Sequence, residues 1–492
     1  MKPNLSPENI LGIECKHVAY QAATDGSLND LLVVKEVVHT KDGGYVHRIK
    51  QYENWKRPFY ITMPHHRNHS DKKEYEELSK LQRYESTDVC LSAQIQMALG
   101  RRFPNPNLEL RRACDSPYVY YADITAPTLL KHYYRKKWPD LVSANRVAVL
   151  DTERDVIFGT EETVLTTVTM GDKKVVGVVK WWADRIPNLA EVINAKYAEY
   201  LSDIEVNRLV KDPVSGKVKK KKVRVNLVEE RGANIEIVVR ENAGLCIQAV
   251  MRRAHEWMPD LLAIWNMNYD IKEIVKMLGK ANIDPAEVFS DPAVPEQYRY
   301  FRYKEAKAQR ETISKTISQN PADLWHVVSC PAGFYIVDAM CLFKKIRVAS
   351  GNEPSYSLDS ILKRHLGIGK LKFKEADQHT GLAWHRFMQE KYPAEYVIYN
   401  IFDCVSIELL DELTGDMSSA ISTLANISEF RIFPSLPKRL VDILHVFYEE
   451  RGKIAGTAGS QVITELDSGV ISLNNWINFT VPSTCERGRS HA

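Results

Sequence analysis

Short apolar runs alternate with longer helical patterns in the chain from residue 146 onward. The run at residues 147–150 is continuously apolar, as in a strand that is buried on both faces of a sheet. The same criteria predict further strands at residues 164–168, 175–179, 235–239, 261–264 and 335–337, and helices at residues 189–201, 243–257 and 394–413. Strands that alternate with helices in this way predict an α/β domain with a mixed sheet.

The first 145 residues show a different pattern and are predicted to form a separate α+β domain. Strand-like segments lie at residues 31–38 and 58–63, and the polar stretch at residues 71–82 is predicted to be helical. A length of 492 residues agrees with more than one domain.

Composition indicates a soluble globular protein, with 44% hydrophobic and 26% charged residues. The formal net charge of +3 is too small to identify an anionic partner. The eight cysteines are scattered without a C-x-x-C pair, so we expect reduced thiols and no zinc site. The sequence has no signal peptide and no run approaching the roughly 18 apolar residues of a membrane span, which predicts a cytoplasmic protein without a membrane partner.

A basic segment at residues 217–224 contains four consecutive lysines, Lys219, Lys220, Lys221 and Lys222. Such a run is typical of a solvated hairpin tip. It is equally typical of a contact with nucleic-acid phosphates. The sequence leaves both interpretations open.

Acidic residues follow the buried segments at three separated places. Asp151 and Glu153 leave one strand two positions apart, so both side chains project from the same face of the sheet. Asp270 comes shortly after the strand at residues 261–264, which would bring it to a sheet end. Tyr399 and Asp403 are four residues apart in a helix and therefore share one face.

Four carboxylates that converge at sheet ends would repel one another strongly unless cations lie between them. Ligation by oxygen alone suits Mg²⁺ or Mn²⁺ better than zinc. Two such ions about 4 Å apart can activate a water and stabilise a leaving oxygen at phosphorus. The pattern therefore predicts hydrolysis of phosphodiesters with two divalent ions.

The same residues resemble a known family. Asp151-Thr152-Glu153, the segment from Asn266 to Asp270 and the segment from Tyr399 to Asp403 resemble the three exonuclease motifs of family B DNA polymerases, most closely those of bacteriophages. The stretch from Ser355 to Leu371 is similar to the linker between the second and third motifs. The resemblance covers residues 146–413 and implies a ribonuclease H-like domain that proofreads during DNA replication.

The resemblance implies a role for each matched acid. Asp151 is similar to the acid that bridges both metals, and Glu153 and Asp403 to the ligands of one of them. Glu153 would also orient the attacking water with help from Tyr399. Asp270 is similar to the ligand of the other metal, partly through water.

Asn266 is similar to a residue near the single-stranded 3′ end of primer-template DNA. Family B polymerases continue into a palm domain, but none of the three palm signatures occurs in this sequence. We therefore expect a palm-bearing polypeptide as partner, and no polymerase activity from this chain alone.

The expected domain order is an N-terminal domain at residues 1–145, an exonuclease domain at 146–415, a return segment at 416–480 with a helix at 440–448, and a disordered tail at 481–492. Two alternatives remain. The chain could be a free-standing DnaQ-like repair nuclease, or a non-catalytic subunit that binds nucleic acid.

Overall fold

The computed structural model describes residues 5–211, 216–307, 309–311, 316–425 and 427–457. The described chain divides into two compact units. Unit 1 draws on Met1–Val142, Glu296–Tyr298 and Leu424–Ala492, and unit 2 on Ser143–Pro295 and Arg299–Thr423. Within the described ranges, none of the helices combines the length and the apolar character that a bilayer crossing requires.

Unit 1 begins with antiparallel strands. Its first part contains β1 (Ile10–Ala22), β2 (Asp30–Thr40), β3 (Tyr45–Glu53), β4 (Arg57–Thr62), β5 (Tyr75–Glu77), β6 (Leu81–Ser86), α1 (Leu91–Ala98), α2 (Leu110–Ala113), β7 (Val119–Tyr120) and α3 (Ala126–Lys137). Strands β1, β2 and β3 form one sheet, and β6, β4 and β7 form another. Helix α3 packs on the first sheet, where Leu130 and Tyr134 contact the apolar side chains of Val18 and Val34.

The helix predicted at residues 71–82 is wrong. That stretch contains β5, a 3₁₀ turn at Leu78–Lys80 and the first residues of β6. Strand β6 pairs with β4 along its whole length, from Leu81 opposite Thr62 to Ser86 opposite Arg57. Hydrogen bonds to distant strands override the helical preference of the polar side chains, which a local pattern does not register.

Unit 2 contains most of the remaining elements. They are β8 (Val147–Arg154), β9 (Thr163–Met170), β10 (Lys173–Val179), α4 (Lys180–Ala183), α5 (Leu189–Leu201), β11 (Ile204–Lys211), β12 (Val218–Val225), α6 (Leu227–Arg231), β13 (Glu236–Arg240), α7 (Ala243–Trp257), β14 (Leu261–Ile264), α8 (Met267–Lys280), α9 (Pro285–Phe289), β15 (Arg302–Lys304), β16 (Gln309–Glu311), β17 (Thr316–Ser318), β18 (Val327–Ser329), β19 (Tyr335–Asp338), α10 (Ala339–Ile346), α11 (Leu358–His365), α12 (Gly381–Lys391) and α13 (Pro393–Thr414).

A six-stranded mixed sheet forms the centre of unit 2, in the order β13-β10-β9-β8-β14-β19. Strand β9 runs antiparallel to both of its neighbours, and the other adjacent pairs are parallel. The α/β class predicted from the sequence is confirmed. Helices α5 and α7 and strand β14 have the predicted bounds, and the other predicted strands of this region lie within four residues of theirs.

Helices cover both faces of this sheet. On one face, Ala148 and Leu150 of β8 join an apolar core with Val250 of α7 and Ile271 of α8. The other face packs against α13. Because side chains of a strand alternate between faces, Asp151 and Glu153 point to the α13 side, whereas Thr152 points to the α8 side. Strand β8 therefore carries polar groups into both layers.

The last described elements are α14 (Ile421–Ala425), α15 (Leu436–Glu449) and β20 (Lys453–Ala455). Within unit 1, β20 pairs antiparallel with β5. The helix predicted at residues 440–448 is confirmed as part of α15. The tail expected at residues 481–492 lies outside the described residues.

Candidate metal centre

Three carboxylates meet where β8 faces α13. One oxygen each from Asp151, Glu153 and Asp403 lies within 4.8 Å of the other two, so the group can hold a metal ion. Asp151 and Glu153 reach this place because β8 is still extended there, and Asp403 because α13 lies across this face of the sheet. The sequence led us to expect four acids here, and the structure brings three of them together within this distance.

Neighbouring side chains of α13 orient the acids of β8. The Asn400 Nδ2 atom donates a hydrogen bond of 2.6 Å to Asp151 Oδ2, and the Tyr396 hydroxyl donates one of 2.6 Å to Glu153 Oε2. The Thr167 hydroxyl donates to Asn400 Oδ1, which fixes the direction of the amide. Outer partners of this kind hold metal ligands in place.

Lys370 brings a positive charge into the cluster. Its Nζ atom lies 2.5 Å from Asp403 Oδ2 and 2.9 Å from the Tyr399 hydroxyl. The other oxygen, Asp403 Oδ1, is buried and has no hydrogen-bond partner among the described residues. A buried carboxylate oxygen without a partner is costly, and a divalent cation is the type of ligand that such hard oxygens bind. The donor set therefore fits a metal ion.

Asp270 lies in the first turn of α8, on the opposite layer from Asp403. Its Oδ1 atom accepts hydrogen bonds from the hydroxyl of Thr152, at 2.6 Å, and from the backbone N–H of Thr152, at 3.2 Å. It is not one of the three acids that approach within 4.8 Å of one another. Its role as a metal ligand stays a prediction, although its charge acts on Asp151.

Burial dominates the electrostatics of the cluster. It raises the pKa of Asp151 well above the usual range, and the charges of Asp270, Asp403 and Glu153 raise it further. Burial also raises the pKa of Glu153 to about 7 and that of Asp270 to about 7. At neutral pH, the cluster therefore holds its negative charges at a considerable cost, which a bound cation would remove.

Lys370 stays protonated in this setting. Burial alone would lower its pKa, but the charges of Asp403, Tyr399, Asp151 and Glu153 raise it well above the usual lysine value. The same ammonium opposes the effect of burial on Asp403, whose pKa is still raised. One lysine therefore offsets part of the acidic charge.

Asn266 lines a cleft at the start of α8. It precedes α8 with a left-handed φ of 64°, and its exposed side chain makes no cap hydrogen bond to the helix. The cleft has a volume of about 400 Å³ and is lined by Asn266, Asn268, Tyr269, Lys272, Glu273, Pro321, Leu324 and His326. Asp338 holds the start of α8, because its Oδ2 atom accepts a hydrogen bond of 2.9 Å from the Met267 N–H.

The lysine run lies along strand β12, which pairs antiparallel with β11. We call this two-stranded element the basic ribbon. All four lysines are exposed, and Lys222 forms an ion pair with Glu205. In the part of the chain that the structure describes, Lys219, Lys220 and Lys221 have no acidic partner. Their positions along a strand extend the positive charge well beyond the hairpin tip.

Sequence reasoning missed Lys370, Asn400 and Tyr396 as members of the site. The α13 periodicity contained a usable signal, because Tyr396 and Asn400 lie three residues before Tyr399 and Asp403 and share their face of the helix. No protein-family model and no curated protein matches the chain in sequence comparisons. The functional argument therefore depends on the geometry of the site and on the sequence motifs.

Proposed function

We propose that this chain is a divalent-metal-dependent 3′-to-5′ exonuclease with a ribonuclease H-like domain, and that it is the proofreading part of a family B DNA polymerase. The observation that carries the proposal is the meeting of Asp151, Glu153 and Asp403, with the buried Asp403 Oδ1 left without a partner. The three acids lie between a sheet and a helix, and a surface acidic cluster would not be placed there.

Asp151, Glu153 and Asp403 would hold the first ion, and Asp151 with Asp270 the second. When bound, two such ions supply the polarisation of the attacking water and the stabilisation of the leaving 3′ oxygen. The water oxygen forms a bond to the terminal phosphorus and the bond from phosphorus to the 3′ oxygen breaks. The products are a nucleoside 5′-monophosphate and a shortened strand with a new 3′ hydroxyl.

The side chains of the chain itself orient this reaction. The Tyr396 hydroxyl engages Glu153 Oε2, so the carboxylate has a fixed direction for accepting a proton from water. Lys370 donates to the Tyr399 oxygen. Because an ammonium accepts no hydrogen bond, the Tyr399 proton is free to point towards Asp403 or a water molecule.

The cleft at Asn266 supports a nucleic-acid substrate. Asn266 lines the cleft and lies four residues before Asp270, so we propose this cleft as the place of the strand end. The exposed amide of Asn266 and phenol of Tyr269 suit contacts with a base edge and a base face, respectively. Lys219, Lys220 and Lys221 would add contacts with phosphates farther along the DNA.

A digestion assay tests the proposal. Single-stranded DNA labelled at its 5′ end should shorten one nucleotide at a time in Mg²⁺ or Mn²⁺, and should stay intact in EDTA. The variant Asp403→Asn, which keeps the shape of the side chain, should be inactive while still binding the strand. Glu191→Gln changes an exposed acid outside the cluster and should leave the rate unchanged.

Other outcomes would favour the two alternatives. Equal rates on RNA and DNA ends would favour a free-standing repair nuclease. Binding of DNA without any shortening, in either metal, would favour a non-catalytic subunit.

A further inference from the structure

A short loop from Leu366 to Lys370 connects the end of α11 to the acidic cluster. Helix α11 ends at His365, so the carbonyls of its last turn need partners outside the helix. Asn207 of β11 supplies two such hydrogen-bond donors. Its backbone N–H donates a hydrogen bond of 2.7 Å to the Leu366 carbonyl, and its side-chain Nδ2 atom donates one of 3.1 Å to the His365 carbonyl.

Gly367 shows how closely the loop and Asn207 approach. Its φ is 73°, in the left-handed region that favours glycine. A Cβ atom added there would lie 2.9 Å from Asn207 Nδ2. Both the backbone conformation and the contact require the absence of a side chain, so the loop is seated against Asn207.

The far end of the loop is fixed by Asp359, whose Oδ1 atom accepts a hydrogen bond of 3.0 Å from the Lys370 N–H. Lys370 then extends its ammonium to Asp403 and Tyr399. Only two residues separate Gly367 from Lys370, so the loop that carries the ammonium is short. The contact with Asn207 at one end and the hydrogen bond to Asp359 at the other together fix its position.

On these contacts, and on the basis of the exonuclease function proposed above, we infer that Asn207 is a positioning residue for Lys370. It lies outside the acidic cluster and acts on it through the loop. Catalytic groups tolerate errors of only about 0.5 Å, so the Asn207 side chain matters for turnover although it contacts neither the acids nor the strand end.

Kinetics of Asn207→Leu test the inference. Leucine keeps the size and the backbone bond but removes the Nδ2 donor. The expected result is a fall in kcat of roughly 10-fold, the lower range for partners of metal-site ligands, with KM for the strand unchanged. Leu209→Ala, a change of an exposed apolar side chain on the same strand, is the matched control and should have no effect.

A double-mutant cycle separates positioning from general support of the fold. In a Lys370→Met background, Asn207→Leu should cause no further loss of kcat, because its effect passes through Lys370. Equal losses in both backgrounds would overturn the inference. Asn207→Ala provides a second variant if the leucine variant does not fold.

Hydrogen exchange tests the same inference without any nuclease activity. The Lys370 amide should exchange about 10-fold faster in Asn207→Leu than in the unchanged chain, because the loop opens more often. Unchanged exchange at Lys370 would contradict the inference even if the chain degrades DNA. Faster exchange of the Lys370 amide in a chain without nuclease activity would support the positioning role of Asn207 and would reject only the proposed function.

Discussion

Lys370 and Asp403 form an ion pair of 2.5 Å, with the lysine reaching from a loop and the aspartate from the middle of α13. The pair uses only one oxygen of the carboxylate and leaves the buried Oδ1 for another ligand. Lys370 also contacts the Tyr399 hydroxyl. The structure thus joins one basic and three acidic side chains in a single partly buried group.

Replacing Lys370 with methionine should impair both stability and turnover. In EDTA, the free energy of unfolding should fall by roughly 3 kcal/mol, because Asp403 becomes a buried charge without a partner. With Mg²⁺, kcat should fall about 100-fold, as for the loss of one preorganised donor. The Mg²⁺ concentration for half-maximal activity should decrease, since the cluster becomes more negative.

Chemical denaturation and steady-state kinetics measure these effects. Lys372→Met is the matched control, because Lys372 is exposed and lies two residues farther along the chain. If Lys370→Met behaves like this control in both assays, Lys370 has no role in the site.

Without metal, the stability of the protein should decrease as the pH rises from about 4.5 to about 7. The pKa of Glu153 is raised to about 7 and that of Asp270 to about 7, so these two carboxyls bind more protons in the folded chain than in the unfolded chain over this interval. The unfolding free energy therefore falls with increasing pH and levels off above the folded pKa values.

Thermal unfolding between pH 4.5 and 8.5, in EDTA and in millimolar Mg²⁺, measures this dependence. Mg²⁺ binds the ionised cluster of the folded chain and should restore the melting temperature above pH 7. Buried acids elsewhere, such as Asp411, add to the decline with pH but not to the recovery in Mg²⁺. Asp151→Asn should show a shallower decline and a smaller recovery, and identical curves for both proteins would contradict the prediction.

The orientation of the acids within each element could be predicted from sequence because it depends on local periodicity. Asp151 and Glu153 share a face by the two-residue repeat of a strand, and Tyr399 and Asp403 by the turn of a helix. The α/β class followed from the same kind of pattern. In each of these cases the residues that decide the structure are close neighbours in the chain.

Lys370 could not be predicted in this way. Its position depends on Gly367, which lies against Asn207 at a separation of 160 positions in the chain, and on a hydrogen bond that the Lys370 N–H donates to Asp359. Contacts between distant segments leave no periodic signal. The same reason explains the error at residues 71–82, where pairing with β4 and β20 decides the conformation.

Neutralising the free lysines of the basic ribbon should weaken DNA binding in a salt-dependent way. For Lys219→Gln, Lys220→Gln and Lys221→Gln combined, the slope of log affinity against log salt should decrease by about 2 units, at roughly 0.7 per phosphate on a single strand. Lys222→Gln alone should change little, because Lys222 already pairs with Glu205.

Fluorescence anisotropy at several salt concentrations measures the slope. A triple glutamine variant at the exposed lysines Lys41, Lys137 and Lys438 has the same net charge and serves as the control. Equal slopes for the two triple variants would show that the lysines of the basic ribbon are solvated and do not contact the DNA.

The chain should shorten 3′ ends but add no nucleotide. Synthesis requires a second two-metal site and a platform for the triphosphate, and the sequence holds no palm signature. Helix α15 exposes Val441, Ile443, Leu444 and Phe447 by 43–45% of their surface. A run of apolar side chains of this kind suits a protein partner, and we expect a palm-bearing polypeptide to restore templated synthesis.

Primer extension with dNTPs and Mg²⁺ measures this division of labour. Ile443→Asp should abolish the restored synthesis and leave the nuclease rate of the isolated chain unchanged, since Ile443 belongs to unit 1 and the acids to unit 2. Robust synthesis by the isolated chain would falsify the prediction.

The bond between Asn400 and Asp151 joins residues that are 249 positions apart, and this separation has a consequence during synthesis on the ribosome. Translation at about 5–20 residues per second means that α13 follows β8 by roughly 12 to 50 s. During that interval the strand holds its two acids without Asn400, Tyr396 or Asp403. If the chain is a nuclease, a growing polypeptide stays inactive until α13 has been made, so the early part of synthesis cannot release a chain that cuts DNA.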